Sequence, residues 1–192
     1  MKTKAEILFE DFCDSNRIVW EKIEEGKKPT PDYKVLFNGY IVCIEVKQLD
    51  KDDNFSAAGS SRTVGSHIRE KIKEARKQVK AGSRECFPSI LLVYNNLDGM
   101  QMFGTEEHDF ITAMYGEMTL VLNKQEKKFT NSFYGRNRSF SEDKSTYFSA
   151  VGFLSKTREG IRVQIYENVF AKNRLDFSKI PNCIEVTRVE LE

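Results

Sequence analysis

The stretch Pro31-Asp32-Tyr33-Lys34-Val35-Leu36-Phe37-Asn38-Gly39-Tyr40-Ile41-Val42-Cys43-Ile44-Glu45-Val46-Lys47 decides how this chain is read. Two apolar runs flank Asn38-Gly39, and that dipeptide suits a two-residue type I′ turn because both central positions require positive φ. With such a turn Phe37 faces Tyr40, Val35 faces Val42, Tyr33 faces Ile44, and Asp32 faces Glu45. Side chains alternate along a strand, so Asp32, Glu45 and Lys47 are expected on one face at the open end of the hairpin.

That pairing is costly without a reason. Directly opposed carboxylates, with Cβ atoms about 5 Å apart, destabilise a sheet. The second arm is apolar on both faces, Ile41 and Cys43 on one and Val42, Ile44 and Val46 on the other. It reads as a buried central strand. Two carboxylates at the end of such a strand call for a cation, and hard oxygen ligands suit Mg²⁺ or Mn²⁺. Lys47 adds a positive charge beside them.

Pro-Asp, a hairpin, then Glu-x-Lys resembles the motif of the PD-(D/E)xK nucleases, the restriction-endonuclease-like superfamily. Here it reads Pro31-Asp32 and Glu45-Val46-Lys47. The resemblance implies an α/β fold with a central mixed β-sheet flanked by helices and a restriction-endonuclease-like core. It also implies hydrolysis of phosphodiester bonds in DNA, with RNA second. Asp32, Glu45 and the backbone carbonyl of Val46 would hold Mg²⁺, for which Mn²⁺ could substitute. Lys47 would orient the attacking water or stabilise developing charge. The first core helix of the superfamily often carries a glutamate that completes the site; Glu10 is the match and Glu6, one turn earlier, its competitor. The helix after the Glu-x-Lys strand often places a glutamine or basic residue nearby, here Gln78 with Arg69 or Arg76 behind it. The partner is then nucleic acid, with a homodimer compatible. The rival reading is a nuclease-like module that binds nucleic acid or a protein without cutting. Intact Asp32, Glu45 and Lys47 argue against it, because an inert site has no need to keep like charges opposed.

The remainder of the chain bounds these expectations. Its 192 residues suit one domain, with a nuclease-like core over about residues 1–96 and a β-rich extension over about 97–192 packed on it. The formal charge is +1, so any surface for a polyanion must be local. Cys13, Cys43, Cys86 and Cys183 lack CxxC spacing, which argues against a zinc knuckle or disulfide framework and fits the reduced thiols of a cytosol. His67 and His108 are the only histidines, too few for a histidine-rich metal centre. The start shows no apolar signal region, and no long apolar span follows. The expectation is a cytoplasmic protein that makes no membrane contact.

Periodicity places the elements. Ala5, Leu8, Phe9, Phe12 and Cys13 mark a helix over 4–16, and Ile68, Ile72, Ala75 and Val79 a second over 67–81. The remaining surface of that second helix carries Arg69, Lys73, Arg76, Lys77 and Lys80, with Glu70 and Glu74 interspersed. It reads either as a solvated face or as a phosphate-facing stripe. Residues 18–23 and 89–94 read as strands, and Asp50 to Ser66 as a loop rich in Gly and Ser. Further on, a helix is expected over 106–115 and strands over 118–122, 147–154, 161–166 and 183–191. Between them the segment 131–140 interleaves Phe133, Tyr134 and Phe140 with Arg136 and Arg138. An exposed loop is one reading; a surface that stacks on bases and holds phosphates is the other.

Overall fold

The hairpin forms in the expected register. Strand β2 (Tyr33–Phe37) pairs antiparallel with β3 (Tyr40–Leu49), with Tyr33 opposite Ile44, Val35 opposite Val42 and Phe37 opposite Tyr40. Asn38 and Gly39 both take positive φ, 46° and 83°. The protein is seen in a computed structural model that describes residues 2–24, 26–50, 63–84, 87–97, 99–101 and 103–190. Most of the expected Asp50 to Ser66 loop, and Cys86, lie outside those residues.

Around the hairpin the chain runs α1 (Lys4–Ser15), β1 (Val19–Lys22), β2, β3, α2 (Ser66–Arg84) and β4 (Ser89–Asn95). It continues through α3 (Glu107–Tyr115), β5 (Met118–Asn123), β6 (Lys128–Tyr134), β7 (Ala150–Lys156), β8 (Ile161–Glu167) and β9 (Ile184–Thr187). Seven strands make one mixed sheet in the order β1-β2-β3-β4-β7-β8-β9. Strands β3, β4 and β7 run parallel at its centre and the other neighbours are antiparallel, except the parallel pair β8–β9. The second half of the chain therefore extends the same sheet from β4 outward. A turn from Thr157 to Gly160 joins β7 to β8, with the Thr157 N–H donating to the Gly160 carbonyl. Of the segment 131–140, the first residues are not loop: they belong to β6, which pairs with β5 as a separate two-stranded ribbon.

Both faces of the sheet are covered, which makes this an α/β fold with helices on either side. On one face α1 packs Leu8, Phe9 and Phe12 against Tyr33, Val35, Ile44 and Ile90. A capping box starts α1: Thr3 Oγ1 accepts the Glu6 N–H, and Glu6 Oε2 accepts the Thr3 N–H at 2.8 Å. On the other face α2 and α3 pack Ile68, Ile72, Val79 and Phe110 against Leu91, Val93 and Tyr166. Among the described residues no helix is long and apolar enough to cross a membrane.

Candidate functional site

Alternation along β3 sorts its side chains. Val42, Ile44 and Val46 enter the core beneath α1, whereas Cys43, Glu45 and Lys47 line cavities walled by α2. Asp32 sits where β2 leaves the sheet. Its carbonyl accepts the Ile23 N–H at 2.8 Å, closing the 23–31 loop. Its Oδ2 accepts the Val46 N–H at 2.8 Å, so the side chain takes over the ladder bond that β2's backbone no longer supplies. A strand residue directs its N–H and C=O to the same neighbour, which turns the Val46 carbonyl toward Asp32 as well.

Glu45 is the outlier in this structure. It is 1 % exposed, and neither carboxylate oxygen has a hydrogen-bond partner. The Lys47 ammonium lies 2.6 Å from Oε1, an ion pair outside hydrogen-bonding angles. Burial pushes the Glu45 carboxyl up to about 7, and the charge of Asp32 adds to that while Lys47 opposes it. Burial also raises Asp32, against the Val46 N–H and Lys47. For Lys47 burial disfavours the charge, but the two carboxylates outweigh it and its pKa ends raised. Buried acids without donors are costly, and this one lies at the mouth of a cavity.

That cavity is about 350 Å³, lined by Asp32, Glu45, Lys47, Lys22, Gln78 and the turn from Gly26 to Pro31. The Gln78 side-chain oxygen is buried and without a hydrogen-bond partner too, so two unsatisfied acceptors meet there. Across the Lys28–Pro31 wall lies a second cavity of about 640 Å³. Lys28, Lys34, Lys77, Lys80 and Arg84 line it, and among the described residues no acid does. Gly82 sets the spacing between helix and hairpin. A Cβ there would stand 2.8 Å from Pro31 Cγ and 2.9 Å from Cys43 Cβ.

The other expected site residues scatter. Glu10 accepts from the Tyr33 hydroxyl at 2.9 Å and from Lys2 at 2.5 Å. It belongs to α1, on the face of the sheet opposite Glu45, and holds Tyr33 in the core. Its competitor Glu6 accepts from Lys22 at 2.6 Å, and it is the acid of α1 whose charge bears on Asp32. Arg69 donates to the carbonyls of Val64 and Thr112, tying the start of α2 to α3. Arg76 is half-buried, and Lys73 is exposed away from both cavities. Lys77 reaches the larger cavity, and Gln78 the one that holds Asp32 and Glu45. Arg136 and Arg138 are exposed at the foot of the β5–β6 ribbon. Sequence reading missed Lys22, Lys34 and Arg84. Arg84 was recoverable, since Lys77, Lys80 and Arg84 follow the i, i+3, i+7 spacing of one helix face.

Among the described residues no group of three or more His, Cys, Asp or Glu side chains could hold a metal. The donors that could serve are two carboxylates, the Val46 carbonyl and the Gln78 amide oxygen. All are hard oxygens, and a small divalent cation such as Mg²⁺ needs only one or two carboxylates when water and substrate phosphate complete its shell. The buried acceptors of Glu45 and Gln78 fit such an ion. No protein-family model, no curated protein and no solved structure matches this chain.

Proposed function

We propose that this protein is a metal-dependent nuclease with a restriction-endonuclease-like core, cutting phosphodiester bonds in DNA. The observation that carries the reading is Glu45: a fully buried carboxylate without a hydrogen-bond partner, beside Asp32 and Lys47 in a cavity that adjoins one lined by five basic residues. A structural acid in a sheet would find donors. This one has the Lys47 ammonium beside it and lines a cavity.

A bound Mg²⁺ or Mn²⁺ would lower the pKa of a coordinated water and offset charge on the scissile phosphate. Asp32 and Glu45 are the residues that would hold it, with the Val46 carbonyl completing the protein's share. The hydrogen bond from the Val46 N–H fixes the Asp32 carboxylate, so that ligand is held before any ion arrives. Lys47 balances the carboxylates and stands where it can stabilise charge developing on the phosphate. Gln78 offers an amide to orient water or a phosphate oxygen. The basic cavity supplies the electrostatic attraction that a chain of net charge +1 lacks globally.

The test is a digestion panel of plasmid, linear duplex, single-stranded DNA and RNA, with Mg²⁺, Mn²⁺ or chelator. Cleavage that needs the metal and vanishes in Lys47→Met and Glu45→Gln is the expected result. Absence of any cleavage by the folded wild type in either metal would sink the proposal and leave a non-cutting module in its place.

A further inference from the structure

The β5–β6 ribbon has no part in the cavities just described, and its chemistry is unlike that of the body. It forms its own two-stranded sheet. All of β6 is exposed except its last residue, with Phe129 at 70 %, and Leu120 of β5 is at 54 %. An isolated hairpin is marginal in water, and clustered exposed apolar side chains mark a contact surface.

The ribbon nevertheless has a defined conformation. At its foot the Glu117 N–H donates to the Arg136 carbonyl, and the Gly135 N–H to the Glu117 carbonyl. Gly116, at φ 99°, lets the two arms meet, since a Cβ there would stand 2.6 Å from the Arg136 carbonyl oxygen. At its tip Asn123 Oδ1 accepts the backbone N–H of Gln125 and of Glu126.

Charge decides what such an arm meets. Between Glu117 and Arg138 the sequence carries Lys124, Lys127, Lys128, Arg136 and Arg138 against the two acids Glu117 and Glu126, in a chain whose total is +1. Pairing with a second copy would bring two such cationic ribbons together. Insertion into a bilayer would lead with the tip, which is the most polar part. A polyanion suits both the tip and the foot. A two-stranded ribbon also fits the major groove of duplex DNA, about 12 Å wide. There Phe129 and Phe133 would offer apolar contacts, with the Asn131 amide nitrogen able to donate to a base edge while its Oδ1 accepts the Ser132 N–H.

We infer that the β5–β6 ribbon is a DNA-binding arm, entering a groove of duplex DNA with Lys124, Lys127 and Lys128 on the phosphates. The choice of DNA among polyanions rests on the nuclease reading; the cationic surface does not.

The experiment measures binding of the full chain to a short labelled duplex in chelator, over a salt series. Two variants are compared with the wild type: Lys124→Gln/Lys127→Gln/Lys128→Gln, and Phe129→Ser/Phe133→Ser. The lysine variant should bind about tenfold more weakly, with the log–log salt slope reduced by about 0.9 for each phosphate no longer neutralised. The phenylalanine variant should lose about tenfold with an unchanged slope. Circular dichroism melts establish that both fold. Wild-type affinity and slope in both variants would overturn the inference. So would a wild type that ignores DNA but binds anionic vesicles or self-associates through the ribbon. If metal-dependent cleavage persists while ribbon variants bind like wild type, the arm fails and the nuclease stands. If DNA binds through the ribbon but no metal supports cleavage, the arm stands and the nuclease fails.

Discussion

Two groups of acids lie on opposite faces of one sheet, and they are treated differently. On α1, Glu6 closes a capping box and accepts from Lys22, while Glu10 accepts from Tyr33 and Lys2. On β3, Glu45 is more deeply buried than either yet accepts no hydrogen bond. The two groups differ in how their charge is met: the α1 acids accept hydrogen bonds, whereas Glu45 has the Lys47 ammonium 2.6 Å from Oε1 and lines a cavity.

The sharpest way to break this contrast is activity. Glu45→Gln, Asp32→Asn and Lys47→Met should each lower cleavage by about 10³-fold or more, the scale of losing a group that acts on the transition state. Glu10→Gln should leave it within about threefold, because that side chain serves Tyr33 on the far face. If Glu10→Gln removes cleavage as thoroughly as Glu45→Gln, the distinction between the two faces collapses.

Stability against pH sharpens it next. Glu45 is raised from 4.5 to about 7 by burial, with Asp32 adding to the shift. Between those values the native state keeps a proton that the unfolded chain has released. This stability is present below pH 4.5 and is lost as pH rises to about 7. The loss amounts to as much as about 3 kcal/mol. The raised Asp32 acts in the same direction. In chelator the wild-type melting temperature should fall as pH climbs through that window, and Glu45→Gln should flatten the decline. A parallel decline in the variant would mean that Glu45 is not the group responsible. Added Mg²⁺ should stabilise the wild type most at the upper end, where both carboxylates are ionised and the ion binds the native state alone.

A smaller effect tests the satisfied side. Tyr33→Phe and Glu10→Leu should each cost about 1 kcal/mol, and the double variant should cost clearly less than their sum, since both remove one hydrogen bond. Additive losses in urea denaturation would show that the 2.9 Å hydrogen bond contributes little.

The same contrast shows what could be read in advance. The hairpin register was legible because Asn38-Gly39 dictates a turn type, and the turn type dictates which residues face each other. The stripes of α1 and α2 and the apolar run of β4 were legible through their periods. The choice of Glu10 over Glu6 was not. Both lie on the same helix four residues apart, and only the packing of α1 onto the Tyr33 face sends Glu10 to that hydroxyl and Glu6 toward Lys22 and Asp32. The β6 strand escaped notice because Lys128–Tyr134 mixes polar, charged and aromatic residues without alternation. A ribbon with no buried face has no reason to alternate.

By itself, then, the sequence determined local conformation and its chemistry: the positive-φ turn, the opposed acids with their lysine, the amphipathic helices, and the near-neutral total charge. Those follow from short-range sterics and side-chain periods, which need no neighbour to act. Only the tertiary structure decided which cations line the two cavities beside the hairpin. Lys22, Lys34, Lys80 and Arg84 come from three separate elements, and nothing in their spacing links β1, β2 and α2. They converge because β3 and β4 pair parallel beneath α2, and because Gly82 lets that helix settle against Pro31 and Cys43. Long-range contact of this kind is set by packing of whole faces, which no local pattern encodes.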